Sequence, residues 1–532
     1  MDHRHSGAVW GRRVQRLEHR RVVVQAAGGP AILLTTINAK WIHPSLALRL
    51  LKANLGSLEG NCEILEFALR QPLAEKLGAI LSRRPKILGI SVSIWNHAAT
   101  LELLKALEDE WAGKNTAAGT PPWSPPVVAL GGPEVSHLPE EAEIFRHAAY
   151  VIRGEGEQAF RELCEALLGG ENPGPGPARF IEGSPAELGR IRQAYHYYSG
   201  EDLTRKLVYV ESSRGCPFRC GFCQSAAADR VREFPLTPFL AEMDTLVKRG
   251  ARNFKFLDRS FNANITRALK IMGFFLRHIE AAPRTEPPLC VHFEMVPGLF
   301  PPELREKLRR FPPGSLRLEI GIQTLNPQVS ALINRPGNGG PVAGEAALEL
   351  LRFLRRETTA TIHADLIAAL PGESLDSFAA GFDKLWLALS GPDAGSVAAA
   401  TETGAPDATS VQGGHVEIQP GILKLLPGTP LARRSADWDI RCAPAPPYEV
   451  LSTAALPQPD LDRIKNFARF WEILVNRRPF PELPVAPAGR PVFWRFMDIS
   501  GRLLARFGRN WGIDRRDLRA AVLDITGTDK QE

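Results

Sequence analysis

The sequence predicts an α/β protein built from two consecutive strand–helix units and closed by a helical C-terminal region. Three observations carry this expectation. Short apolar runs alternate with amphipathic segments from about residue 31 to 168. The alternation resumes from Leu207 with a longer period and yields six further strands. Three of the seven cysteines, Cys216, Cys220 and Cys223, fall within eight residues just after the first of those strands. Alternation of the first kind predicts a doubly wound parallel sheet, and six longer units predict a partial (β/α) barrel.

The totals bound what the chain can be. Its 532 residues are enough for two to four domains, and 44% apolar with 23% charged residues is ordinary for a globular protein. The formal charge of +6 is small for this length and the Lys and Arg are scattered, so nucleic acid is not the default partner. No run of about 18 apolar residues signals a membrane span. Met1 to Arg21 is rich in Arg and His without the apolar stretch of a secretion signal, so residues 1–29 are expected to be a disordered basic leader and the compartment cytoplasmic. Clustered cysteines in that compartment favour metal over disulfides.

In the first unit, residues 30–170, five strands are expected at Ala31–Thr36, Cys62–Phe67, Ile87–Ser93, Val127–Leu130 and Tyr150–Arg153. Ligands of such sheets sit at the carboxyl ends of the strands. The loops there read Asn38-Ala-Lys-Trp-Ile-His43, Ser91-Val-Ser-Ile-Trp95, Gly131-Gly-Pro-Glu134 and Arg153-Gly-Glu-Gly-Glu157. Glycines allow backbone to approach a ligand closely, and Ser91 and Ser93 offer hydroxyls without bulk. The same residues are also what tight turns require.

Residues 171–206 open with a proline- and glycine-rich stretch and are expected to be a linker. The second unit, 207–440, has strands expected at Leu207–Glu211, Phe254–Leu257, Cys290–Glu294, Leu316–Ile322, Thr361–Ile367 and Val416–Ile418. Within it, 391–414 is Ala-, Gly-, Thr- and Ser-rich and is expected to be a disordered insertion. Residues 441–532 carry two segments of helical period with Phe467, Phe470, Trp471, Phe493, Trp494 and Phe496, expected to be core and to cap the open side of the barrel.

The cysteines decide the chemistry. Three thiolates on one loop suit an iron–sulfur cluster, whereas structural zinc closes its tetrahedron with a fourth ligand, and the nearest downstream histidine, His278, is remote. A zinc knuckle lacking a ligand and accidental core cysteines remain the competing readings. The pattern Cys216-x-x-x-Cys220-x-Phe222-Cys223 resembles the signature of the radical S-adenosylmethionine (SAM) enzymes. That resemblance implies a [4Fe–4S] cluster on the three cysteines, with its open iron chelated by SAM. One electron then splits the C–S bond to give a 5′-deoxyadenosyl radical. It also implies an electron donor such as flavodoxin or ferredoxin, and a TIM-like partial barrel with its site at the strand ends.

The rest of the barrel extends the resemblance. Asp258 stands where the family usually places a Gly-Gly-Glu element that grips the SAM amine; a strand-end Asp capping a turn is the alternative. Glu294 ends the third strand facing the cavity. On the fourth, period-2 alternation puts Glu319, Gly321 and Gln323 on one face, and the family's ribose and methionine contacts fall there. His363-Ala-Asp-Leu-Ile-Ala-Ala-Leu-Pro-Gly-Glu373 resembles a family element near the adenine. The first unit, placed before such a barrel, resembles a Rossmann-like cobalamin-binding domain, with Gly131, Gly132 and Glu155 in its most recognisable pieces.

That domain departs from the Asp-x-His-x-x-Gly pattern of cobalt-ligating relatives. Here the loop reads Asn-Ala-Lys-Trp-Ile-His-Pro, so His43 is a candidate cobalt ligand or a helix-start residue ahead of Pro44, and Asn38 a candidate contact. The resemblance implies a radical enzyme that methylates, or otherwise transforms, a small-molecule or peptide substrate. The runner-up keeps the fold without cobalamin, and a zinc-stabilised binding module is the alternative of another class.

Overall fold

The computed structural model describes residues 29–116, 124–171, 174, 176–227, 230–282, 288–335, 341–390, 414–483, 485–487 and 489–528. The expected leader, up to residue 28, and the expected insertion, up to residue 413, lie outside the described residues.

The first unit is a six-stranded parallel sheet in the order β2-β1-β3-β4-β5-β6. Its strands are β1 (Ile32–Asn38), β2 (Cys62–Ala68), β3 (Ile87–Ser91), β4 (Val127–Gly131), β5 (Tyr150–Gly154) and β6 (Arg179–Gly183). Helices α1 (Leu46–Ala53), α2 (Leu73–Leu81), α3 (His97–Thr116) and α4 (Glu157–Leu168) cover its two faces. The strands are apolar on both sides because both sides are buried. Along β1, Ile32 and Leu34 enter a core with Leu48 of α1 and Phe160 of α4, while Leu33 and Ile37 enter another with Ile80 of α2 and Leu103 of α3.

The sixth strand was not expected: β6 lies inside the stretch read as a linker and pairs in parallel with β5 from Tyr150↔Arg179 to Gly154↔Gly183. As an edge strand with only Phe180 and Ile181 apolar, it lacks the pattern that marks its neighbours. The same stretch also contains α5 (Gly200–Arg205), closed by a capping box at Ser199 and Asp202.

The second unit runs through β7 (Val208–Val210), a short hairpin of β8 (Ser213–Arg214) and β9 (Arg232–Glu233), and then β10 (Asn253–Phe256), β11 (Cys290–Met295), β12 (Leu316–Gln323), β13 (Thr361–Ala368) and β14 (Val416–Ile422). Six of these make one parallel sheet in sequential order, β14-β13-β12-β11-β10-β7, with two open edges. The connecting helices are α6 (Leu236–Lys248), α7 (Ile265–Ala281), α8 (Pro302–Arg309), α9 (Pro327–Leu332), α10 (Pro341–Glu357) and α11 (Leu375–Ser390). One large apolar core fills the space between these helices and the outer strand faces. The inner faces, by contrast, carry alternating polar residues.

The first sheet docks by its strand ends onto the open side of this partial barrel. The Leu207 amide donates to the Ile42 carbonyl at 3.1 Å, and the Tyr209 hydroxyl of β7 meets His43 Nδ1 at 2.8 Å. At the other edge Tyr448, in the segment after β14, donates to Glu134 Oε1 at 2.6 Å.

The C-terminal helices α13 (Gln458–Trp471), α14 (Phe493–Phe507) and α15 (Arg515–Thr528) follow the short α12 (Pro430–Arg433). Phe467, Phe470, Trp471, Phe493 and Phe496 are buried as expected, whereas Trp494 is 47% exposed. Their placement corrects the expected cap. Phe467 and Trp471 pack on Phe382 of α11, and Asn476 donates to the Ile418 carbonyl of β14. These helices therefore buttress the outside of the last barrel unit.

Candidate active site

The cysteine loop leaves β7 through Gly215, which sits at φ +91 where a side chain would be strained. It is pinned from two later loops. The Gly221 amide donates to the Ile333 carbonyl at 2.7 Å, the Leu431 amide donates to the Gly221 carbonyl at 2.8 Å, and Asn334 Nδ2 reaches the Arg219 carbonyl at 2.9 Å. Cys220 is buried, Cys216 and Cys223 are half-buried, and Phe222 packs against the main core.

Two of the three thiols have a polar side chain beside them. Ser260 Oγ is 3.1 Å from Cys216 Sγ, and Arg335 Nη1 is 3.6 Å from Cys220 Sγ. Burial pushes the Cys220 thiol up, Arg335 opposes that, and the other two cysteines add to it, as three sulfurs held near one another must.

Asp258 stands beside the cysteine loop, in the lining of a cavity with Ser213, Pro217 and Ser260. It is fully buried, accepts from the Ser212 amide at 2.9 Å and from the Ser212 and Ser213 hydroxyls at 2.6 Å each, and so anchors the base of the cysteine loop. Its partners are on the cysteine loop and not in the turn that follows it.

The barrel lumen is lined by ionisable groups on alternate positions. Lys255 Nζ and His292 Nε2 both lie 3.2 Å from Glu319 Oε2. The His292 contact is close but off the hydrogen-bond direction, which leaves that nitrogen without a hydrogen-bond partner. Burial would raise the Glu319 carboxyl, but these two neighbours hold it down at about 2. The His363 ring stacks on His292 at 5.7 Å, keeps Nδ1 near Glu417 Oε2 at 3.1 Å and Gln419 Nε2 at 2.7 Å, and has its buried Nε2 unpartnered.

Toward the strand ends the lumen turns acidic. Burial raises the Glu294 carboxyl, whose ion-pair partner Arg259 is 3.8 Å away. Asp365 makes no hydrogen bond among the described residues. Burial first, then Glu319 and Glu294, push it up to about 8. At the very end Gln323 sits in the left-handed region at φ 68, next to a β-bulge, with its buried Oε1 unpartnered. Strain and an orphaned polar atom at one residue are what a ligand contact would resolve. Asp365, Lys255, His292, His363 and Arg335 escaped the sequence-based selection, although strict alternation on β11 and β13 marks the histidines and Asp365 as inward.

The strand ends of the first sheet enclose a separate cavity of about 440 Å³. Leu46, Leu50 and Leu51 of α1 and Phe160 of α4 form its sides; Gly89, Ser91, Gly131, Gly132 and Glu155 reach it from the strands and loops. A Cβ on Gly132, at φ +106, would stand 2.5 Å from the Val92 carbonyl oxygen, and one on Gly89 would meet Leu34 at 2.8 Å and Phe160 at 3.0 Å. Glycine is what lets strand, loop and helix pack this closely around the cavity.

Other expected contacts are engaged elsewhere. Ser93 is buried at the start of α3, its amide donating to Asn96 Oδ1, and does not line the cavity. Asn38 donates to Glu66 at 3.1 Å, which also pairs with the buried Arg49. His43 is turned to Tyr209 and is likewise absent from the cavity lining, so the structure does not put it where a cobalt ligand of this cavity would be. Glu155 lines the cavity but is held by Arg214 and Arg232.

Comparison with known proteins names these two sites. The family model described as the radical SAM superfamily matches residues 210–385, and that of the B12 binding domain matches residues 32–164. Residues 210–385 therefore match a radical SAM domain and residues 32–164 a B12-binding domain. Among curated proteins, this chain is 26% identical over 33% of its length to 28% of the 2-(S-pantetheinyl)-carbapenam-3-carboxylate methyltransferase of Streptantibioticus cattleyicolor. It is 25% identical over 36% of its length to 29% of the cobalamin-dependent radical SAM methyltransferase TokK of Streptomyces tokunonensis. The matches thus span under a third of each of these relatives.

Among solved structures, the cobalamin-dependent SAM radical enzyme OxsB aligns over 94% of this chain and 75% of its own, at TM-score 0.61 and 14% identity. The radical SAM methyltransferase TsrM of Kitasatospora setae aligns over 76% of each chain at TM-score 0.52 and 19% identity. These two likenesses establish the shared fold.

The family implies a [4Fe–4S] cluster, SAM and cobalamin, and the residues present fit all three. The donor set suits the cluster: three thiols on one loop, beside a guanidinium that favours thiolate. Among the described residues no three His, Cys, Asp or Glu side chains converge tightly enough for a single metal ion, the arrangement a zinc knuckle would need. The orphaned Gln323 Oε1 and the unpaired Asp365 fit SAM, and the glycine-lined cavity fits part of a corrinoid. Among the described residues no helix is long and apolar enough to cross a membrane.

Proposed function

We propose that this chain is a cobalamin-dependent radical SAM methyltransferase acting on an unactivated carbon. The observation that carries the proposal is a shared wall: Glu211, Arg214 and Leu257, from the start of the barrel, close the glycine-lined cavity of the first domain. The cavity therefore abuts the strand end from which the cysteine loop departs, a placement that an idle first domain would not require. The names of the curated relatives point the same way.

In this reading Cys216, Cys220 and Cys223 hold three corners of the cluster and Arg335 stabilises the Cys220 thiolate. Gln323, Asp365 and Glu294 meet SAM, whose sulfonium and ammonium suit a lumen with carboxylates in excess at the strand ends. Gly131, Gly132 and Ser91 let the corrinoid come close to the backbone, with no protein ligand from His43. When bound, the cluster with SAM supplies hydrogen-atom abstraction and the cobalamin a transferable methyl group. The unpartnered Nε2 of His363 would orient a polar group of a small-molecule or peptide substrate. A flavodoxin or ferredoxin as electron donor and a cytoplasmic location complete the proposal.

Anaerobic incubation of cluster-loaded protein with hydroxocobalamin, SAM and reductant tests it. Both 5′-deoxyadenosine and S-adenosylhomocysteine are expected, each dependent on Cys220. Formation of 5′-deoxyadenosine alone, with no corrinoid retained, would instead favour radical chemistry without cobalamin.

A further inference from the structure

One buried guanidinium among the contacts between the two halves of the molecule stands beside the cysteine loop. Arg214 stands two residues before Cys216, and its side chain is only 12% exposed. Every nitrogen is engaged: Nε with Glu211 Oε2 at 3.0 Å, Nη1 with Glu155 Oε2 at 3.0 Å and Nη2 with Glu157 Oε1 at 2.6 Å. Glu211 belongs to the barrel, whereas Glu155 and Glu157 belong to the loop and first turn that lead into α4. All four residues line the cavity.

The neighbouring strand repeats the attachment. Arg232 faces Arg214 across the β8–β9 hairpin and grips the same Glu155, as well as the Ala186 carbonyl at 2.6 Å. The hairpin that opens the cysteine loop is thus fastened to the cavity wall at two points. Exposed ion pairs contribute little, but a buried charge cannot lose one partner without a large penalty, so these groups move together or not at all.

We infer that Arg214 is a positioning residue through which the occupant of the first-domain cavity and the cluster-bearing loop bias each other. The inference rests on the proposed function, which puts a corrinoid in the cavity and a cluster on the loop. An occupant that meets Glu155 or Glu157 shifts the carboxylates that fix a rigid, planar fork, and the backbone carrying that fork reaches Cys216 in two steps. A lysine in its place could satisfy one carboxylate but not three in a plane. By linkage the effect is reciprocal: loading the cluster changes corrinoid affinity by the factor by which the corrinoid changes the cluster's stability in the loop.

Hydroxocobalamin titrated anaerobically into wild-type protein with and without its reconstituted cluster measures the coupling. The electron paramagnetic resonance spectrum of the reduced cluster, with and without corrinoid, supplies a second readout. The two affinities are expected to differ ~5- to 150-fold, the usual range for coupled sites, and the spectrum to change on corrinoid addition. In Glu157→Gln and Arg214→Lys the ratio should fall toward one and the spectrum should cease to respond, with iron content unchanged. Equal affinities in the wild type, or a ratio retained in both variants, would overturn the inference and leave the proposed function standing. No uptake in either wild-type form would overturn both. Equal wild-type affinities overturn the inference even if the variants fail to fold.

Discussion

The strand ends of the first sheet and the lumen of the barrel are built from the same element, a parallel strand followed by a helix, yet they are lined by opposite chemistries. The first sheet has helices on both faces, so both faces are buried in apolar cores, and ligand space exists only where its strands stop, bounded by glycines such as Gly89 and Gly132. The barrel turns one face of each strand inward. There Lys255, His292, Glu319, His363 and Asp365 alternate with buried Phe254, Val291, Leu318, Ile362 and Ala364 on the outer face. A flat sheet makes its site from missing side chains and a curled one from present ones.

Cys220→Ala should give the largest effect and fall chiefly on the barrel. Iron content after anaerobic reconstitution and 5′-deoxyadenosine production are expected to drop to background, while hydroxocobalamin is still taken up. Gly89→Val should do the reverse. Its side chain would enter space already claimed by Leu34 and Phe160, so corrinoid uptake should be lost with iron retained, at ~1–3 kcal/mol of stability in a denaturant titration. Loss of both cofactors in both variants would erase the contrast.

Gln323→Gly sharpens the comparison at the strained end of β12. Relief of the left-handed backbone at φ 68 should stabilise the fold by ~1 kcal/mol, while the Michaelis constant for SAM rises. A destabilised variant with unchanged SAM dependence would mean that the strain serves packing alone.

The last effect is a pH slope. Asp365 has an ordinary value of 3.8 and is raised in the fold to about 8, so its contribution to stability is complete below about pH 4 and is lost as pH rises toward 8. Asp365→Asn should flatten that decline in unfolding curves recorded across the range; an unaltered slope would assign the decline to other groups.

The strands of both units were legible because their signals are local. Apolar runs between loops, and period-2 alternation on β12, need no tertiary knowledge. β6 was missed because an edge strand buries too little to show a pattern. The expected site residues that meet partners within the protein share a different cause. Asp258, Asn38 and Ser93 stand at strand ends, as ligand contacts do, but Ser212, Glu66 and Asn96 reach them first. A sequence gives the position of a polar side chain along its strand and not the partner that arrives from elsewhere.

By itself the sequence determined the two strand–helix units, the spacing of Cys216, Cys220 and Cys223 and the glycines at the first sheet's strand ends, because covalent order and backbone conformation are local properties. Only the tertiary structure decided that the C-terminal aromatics buttress β14 rather than cover the lumen, that His43 turns to Tyr209, and that Arg214 ties the cysteine loop to the cavity. Each of these depends on which groups meet across tens to hundreds of residues, and that is settled by which buried charges and apolar faces find partners when the whole chain packs.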